Sequence, residues 1–150
     1  MAKKCMISIL IGLFAMAAVY AAGKPTPEET KELVQQAVAY LIVNGKENAL
    51  KEFNKPDGKF VKSELYVFVY NLEGVMMAHL VNPSLIGRSL LYVWGSRGKI
   101  FTQEIVELAK TKGSGFIDYT WLNPVTKQED IKTIYIQKAG DLIICCGVYK

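Results

Sequence analysis

LYVFVYNLEGVMMAHL, residues 65–80, is the stretch that decides the fold. Its first six residues repeat with a period of two. Tyr66, Phe68 and Tyr70 share one face, and Leu65, Val67 and Val69 share the other. Both faces are apolar, which predicts a central strand covered on both sides. Asn71-Leu72-Glu73-Gly74 then reads as a hairpin loop, and residues 75–80 as the return strand.

Toward the N-terminus the period becomes helical. Thr26 is a good N-cap, Pro27 suits the first helical position, and Glu29 completes a capping box. Leu33, Val34, Ala37, Val38, Leu41 and Ile42 follow as one apolar stripe. Asn44-Gly45 breaks or kinks the helix, Ala49, Leu50 and Phe53 continue it, and residues 54–58 form a loop.

Toward the C-terminus, residues 81–99 are long and irregular, with Pro83, Gly87, Gly95 and Gly98. A connection of that length in a small domain usually serves a function. Phe101, Ile105, Leu108 and Ala109 mark a short amphipathic helix that Gly113 ends. Three strands close the chain, over 116–122, 130–138 and 142–149, with turns at Asn123-Pro124 and Ala139-Gly140-Asp141. The fold class is α+β, a long N-terminal helix packed on a roughly five-stranded antiparallel sheet. That helix should cover one face, and the irregular loop with the short helix part of the other. The space between loop and sheet is the default binding pocket.

The first two dozen of the 150 residues differ from the rest. Lys3 and Lys4 precede an apolar run over 6–19, and Val19-Tyr20-Ala21 offers small residues for cleavage. This is the order of a signal peptide over residues 1–21, leaving one domain over 22–150 in the periplasm or secreted. The run is short for a membrane span, which needs about 20 residues. An uncleaved N-terminal anchor to the inner membrane is the alternative. A lipoprotein is less expected still, because its lipidated Cys would have to follow the run and Cys5 precedes it.

Without that segment 16 basic residues face 14 acidic ones, scattered along the chain. No clustered basic face is present, so nucleic acid is not an expected partner. Cys145 and Cys146 are adjacent and read as two small buried hydrophobes, one on each face of a strand. A strained vicinal disulfide is the other option. One His and two adjacent thiols lack metal-ligand spacing. Neither a phosphate-binding loop, a nucleophile elbow nor a triad is visible. The expectation is a non-enzyme without metal or cofactor.

The order of motifs carries a resemblance. It runs through Val69-Tyr70-Asn71, Gly74, Ala78-His79, Asn82-Pro83 and Leu85-Ile86-Gly87-Arg88. It continues through Gly113-Ser114-Gly115, Asp118-Tyr119-Thr120-Trp121-Leu122-Asn123-Pro124, Lys132 with Tyr135, and Gly147-Val148-Tyr149. From Leu65 to Tyr149 the chain resembles a single Cache domain, the extracytoplasmic sensor module of many bacterial chemoreceptors and sensor kinases. The resemblance implies a PAS-like sheet with a pocket for short carboxylates or related metabolites. Two features depart from the receptor pattern. The approach to the last strand is Asp141-Leu142-Ile143-Ile144-Cys145-Cys146 rather than Trp-rich, and the sequence stops at Lys150. The expectation is the stand-alone secreted form, acting in chemosensing through a separate membrane receptor or kinase.

An anionic ligand needs a fixed cation. His79, the only His, Arg88 in the loop and Lys132 amid Ile131, Ile134 and Ile136 are the candidates. Their plainer readings are a backbone-satisfied His, a solvated Arg and a snorkelling Lys. Tyr66, Phe68, Tyr119, Trp121 and Tyr135 are the aromatic set from which the walls are drawn, although strand aromatics often serve only as core. Trp94 is held in reserve, and Asn82 and Asn123 read as turn residues. The leading expectation is a sensor that binds a small organic anion and whose loop orders on binding. The alternative is a ligand-free interaction module whose long helix pairs with a second copy or a receptor.

Overall fold

The computed structural model describes residues 23–94 and 100–150. The segment read as a signal peptide, residues 1–21, and the end of the 81–99 connection lie outside these residues.

Helix α1 (Pro27–Asn44) starts at the capping box read from the sequence. The Thr26 hydroxyl accepts from the Glu29 amide, and the Glu29 carboxylate accepts from the Thr26 amide at 2.7 Å. Thr30, Leu33, Val34, Ala37, Val38 and Leu41 form the buried stripe. Ile42, which the spacing places in that stripe, is 75% exposed. It lies about 100° around the helix from Leu41, beyond the arc that meets the sheet. Gly45 stands at φ 81°, ψ 162°, a region open to glycine and strained for other residues. Its amide donates to Leu41 at the end of α1, and its carbonyl accepts from Ala49 at the start of α2 (Lys46–Phe53). One glycine therefore sets the break between two helices.

The strands are β1 (Val61–Lys62), β2 (Leu65–Asn71), β3 (Met76–His79), β4 (Ser114–Leu122), β5 (Glu129–Ala139) and β6 (Leu142–Tyr149). They form one antiparallel sheet in the order β1-β2-β6-β5-β4, with β3 also paired to β2. The sheet has six strands rather than about five, because β1 is a two-residue pairing too short to show a period. The β2–β3 hairpin turns on Asn71, whose Oδ1 accepts from the Glu73 and Val75 amides. The Arg88 carbonyl accepts from the Met76 amide and Met76 O from the Gly87 amide, so this part of the connection runs beside β3.

Helices α1 and α2 cover one face of the sheet, against Val67, Val69, Ile144, Cys146 and Val148. Helix α3 (Phe101–Thr111) and the connection cover the other, against Phe68, Tyr70, Ile134, Ile136, Ile143 and Cys145. All residues of β6 from Leu142 to Val148 are buried. Cys145 and Cys146 are free thiols, one in each core, as their adjacency implies.

Thr26→Ala removes the capping box and should destabilise the domain by about 1 kcal/mol. Thermal unfolding followed by circular dichroism measures this. An unchanged midpoint would mean that α1 is held by packing alone.

Candidate functional site

Lys132 is the anomaly of the α3-side core. It sits on β5 with Ile134 and Ile136 on the same face, and it is 3% exposed. Its ammonium lies over the rings of Phe68, Tyr149 and Tyr66, at 5.0, 5.2 and 5.4 Å from their centroids. No carboxylate among the described residues forms an ion pair with it. The negative faces of the rings recover part of the lost hydration. They do not replace it, and burial pulls the ammonium down from 10.5 to about 8.

His79 stands beside this cage, 5.5 Å from the Tyr66 ring and 5.8 Å from that of Phe68. Its amide donates to Asn54 Oδ1 at 3.1 Å, and its Nδ1 accepts from the Asn82 amide at 3.0 Å. A backbone N–H can only donate, so the neutral ring carries its proton on Nε2. Burial and then the Lys132 charge lower the imidazole to about 4. At neutral pH His79 is thus an uncharged donor, and Lys132 is the charged group. A β-bulge in β3 brings them together. Val69 pairs with Ala78 and Tyr70 with Met76, leaving Met77 as an extra residue. The bulge resets the alternation, so Met76 and His79 both face the α3 side.

A second aromatic group continues the wall. Tyr119 stacks on Phe101 at 4.3 Å, and Trp121 meets Phe101 edge-on at 5.1 Å. Burial raises the phenols of Tyr66, Tyr70 and Tyr119, and pushes that of Tyr149 up to about 12. All four therefore remain neutral hydroxyls. The Tyr149 hydroxyl donates to Leu122 O at 3.1 Å, which fixes its ring at the cage.

The structure brings Tyr66, Phe68, His79 and Lys132 together, with Tyr119 and Trp121 on the same face. It does not bring Tyr135, which faces α1 and packs edge-on against Phe116. The reason is strand parity: Lys132, Ile134 and Ile136 point one way, and Tyr135 the other. Arg88 is exposed, as is Trp94, and Arg88 is held by its backbone. Asn82 and Asn123 are turn residues; Asn123 Oδ1 accepts from the Val125 amide. Sequence reasoning missed Tyr149, Tyr70 and Phe101 as wall residues. The signal for Tyr149 was its place opposite Lys132 in the β5–β6 register.

Chemically the site offers an anion one cation, Lys132, and a neutral donor, His79 Nε2–H. Among the described residues no cluster of His, Cys, Asp and Glu could hold a metal ion. A separate groove of about 570 Å³ between α3 and β4, lined by Gln103, Glu107, Leu108 and Phe116, lacks a predicted site residue.

Comparison with known proteins gives the following matches. The family model described as single Cache domain 2 matches residues 4–150. The methyl-accepting chemotaxis protein McpP of Pseudomonas putida is 33% identical over 86 residues, which are 56% of this chain. The chain spans only 16% of that relative's length. A Cache chemosensory domain solved for its carboxylic acid recognition superposes with a TM-score of 0.69 at 28% identity, over 81% of this chain and 91% of that one. A periplasmic sensor domain of a chemotaxis protein does so with 0.63 at 26%, over 81% and 88%. A methyl-accepting chemotaxis protein from Vibrio parahaemolyticus shares the fold, with 0.69 at 19% over 81% and 86%.

The Lys132 shift has a testable sign. Its folded value, about 8, lies below the ordinary 10.5, so the unfolded chain holds this proton more tightly. The resulting destabilisation is complete below pH 8 and fades as pH rises toward 10.5. At 1.36 kcal/mol per unit it is about 3 kcal/mol at neutral pH. Lys132→Met should therefore raise the melting temperature of the unliganded domain at pH 7 by several degrees, and the gain should shrink by pH 10. A variant less stable than the parent at pH 7 would contradict this account.

Proposed function

Because the chain belongs to the single Cache domain 2 family, we propose that it is an extracytoplasmic sensor domain that binds a short organic carboxylate at Lys132. The observation that carries this reading is the buried ammonium of Lys132, ringed by aromatics and without a carboxylate partner among the described residues. A bound carboxylate supplies the missing charge. It would accept from Lys132 and from His79 Nε2–H, with the phenols of Tyr66 and Tyr149 beside it. The rings that crowd the ammonium favour a short apolar tail. Carboxylic acid recognition by the related Cache domain, at 28% identity, supports the same ligand class.

The signalling part of the reading is an exchange of states. The ligand binds best to the arrangement in which Lys132, His79 and the loop are set around it, and so shifts the population toward that arrangement. A separate receptor or kinase reads the shift. The domain works in the periplasm or as a secreted protein, with residues 1–21 removed as a signal peptide; if they stay, it is anchored to the inner membrane. A second reading, a module that pairs through its long helix, draws on Ile42 and Val43, which are 75% and 82% exposed at the end of α1. Native mass spectrometry of the exported protein reads the N-terminus, the subunit count and any retained ligand together.

A thermal-shift screen against short carboxylates tests the ligand reading. A ligand at 100 times its dissociation constant should add about 2.7 kcal/mol, on the order of 10 °C for a domain of this size. Lys132→Ala should abolish the shift. Affinity should weaken about tenfold per pH unit above about 8, as the unliganded Lys132 loses its proton. If no carboxylate moves the midpoint of the parent protein, this reading fails.

A further inference from the structure

Of the three rings beneath the Lys132 ammonium, Tyr149 lies on the neighbouring strand β6, but Tyr66 and Phe68 do not. Lys132 is on β5, Tyr66 and Phe68 are on β2, and β6 runs between them. Adjacent strands are about 4.8 Å apart, so the lysine stem must cross a full strand to reach β2. The crossing point is Gly147. It pairs with Ile134, two residues along β5 from Lys132, and it lies one position beyond Cys146, the partner of Val67. A methyl group built on Gly147 would stand 2.7 Å from Lys132 Cε and 2.5 Å from Ile134 Cγ2. Real side-chain contacts of that kind do not occur at such distances. The Gly147 backbone is ordinary strand and is not among the positive-φ residues. Its lack of a side chain answers a need for space, not for conformational freedom.

We propose that Gly147 is the positioning residue of the anion site: its bare backbone is the bed over which the Lys132 stem crosses β6, and it thereby sets how far the ammonium reaches toward Tyr66, Phe68 and His79. This inference rests on the carboxylate reading for its purpose and on the geometry alone for its content. Any side chain at 147 would lift the stem off the sheet and swing the ammonium toward solvent. The ligand would then meet a cation displaced from the His79 donor. Affinity would fall while the sheet pairing, which needs only the Gly147 backbone, remained.

The test uses the full chain labelled with ¹³C-lysine and followed by proton–carbon correlation spectra without ligand. In the parent protein one lysine Hε signal should be shifted upfield by the three rings, should titrate well below the other lysines, and should vanish in Lys132→Met. In Gly147→Ala this signal should merge with the other lysines and titrate with them, and carboxylate affinity should fall at least tenfold. A merely structural role for Gly147 would lower the melting temperature without moving the Lys132 titration. Persistence of the shifted, low-titrating signal in Gly147→Ala overturns the proposal. If Gly147→Ala does not fold because of Ile134, the double variant Gly147→Ala/Ile134→Ala removes that contact and leaves the lysine one, with the same two outcomes. Ile134→Ala alone should keep the shifted signal; its loss there would assign the positioning to Ile134 and overturn the proposal. A parent protein that shows the signal, loses it on Gly147→Ala and yet answers no carboxylate upholds the role of Gly147 while removing the ligand reading.

Discussion

The central strands of the sheet are closed to water on both faces, and this governs what every residue in them can do. In β6 seven consecutive positions are buried, shared between the helix-side core and the α3-side core. Backbone polar groups there are satisfied by the ladders to β2 and β5. Side chains have no such partner, and the strand uses Leu, Ile, Val, Cys and Gly accordingly. Placed on the neighbouring strand under this constraint, a lysine is expensive. Its stem can be buried as hydrocarbon, but its ammonium needs either water or a counter-charge. The three rings around Lys132 are the compromise available within an apolar layer.

That compromise explains why the neighbours of Lys132 are neutral. His79 is kept uncharged by burial, by the adjacent ammonium and by the Asn82 amide on its Nδ1. By the pH at which Lys132 titrates, His79 lost its proton several units earlier, so the two do not compete for charge. The tyrosines stay protonated for the same reason of burial. The site thus presents one positive charge with donors around it, and a small anion is the complementary object. The cost of the empty site and the carboxylate affinity proposed for it would be two expressions of one unfavourable burial.

Much of this architecture was legible in the sequence, for reasons that differ by element. The two apolar faces of 65–70 announced a central strand, and Thr26, Pro27 and Glu29 announced where α1 begins. Both signals are local, so no tertiary information was needed. Lys132 was legible as a cation among isoleucines, and the wall residues Tyr66 and Phe68 followed from their shared parity. Tyr135 was not legible. Naming it beside Lys132 ignored that odd and even positions of one strand face opposite layers, and the structure puts it under α1. The side chosen by His79 also depends on the extra residue Met77, and no period in the sequence marks a bulge. Tyr149 and Gly147 required the β5–β6 register, which pairing sets and composition does not.

The bond between the His79 amide and Asn54 has a mechanical consequence. Asn54 caps the C-terminal end of α2, on the helix side of the sheet, while the His79 ring faces the other side. The close-packed sheet separates the two layers. At the β3 edge the Asn54–His79 bond joins the two. The Asn54 side chain thus fixes the end of α2 to the backbone of the last residue of β3. At its other end α2 meets α1 at Gly45. The helical pair is thus referenced to the same edge of the sheet from which the His79 ring projects into the opposite layer.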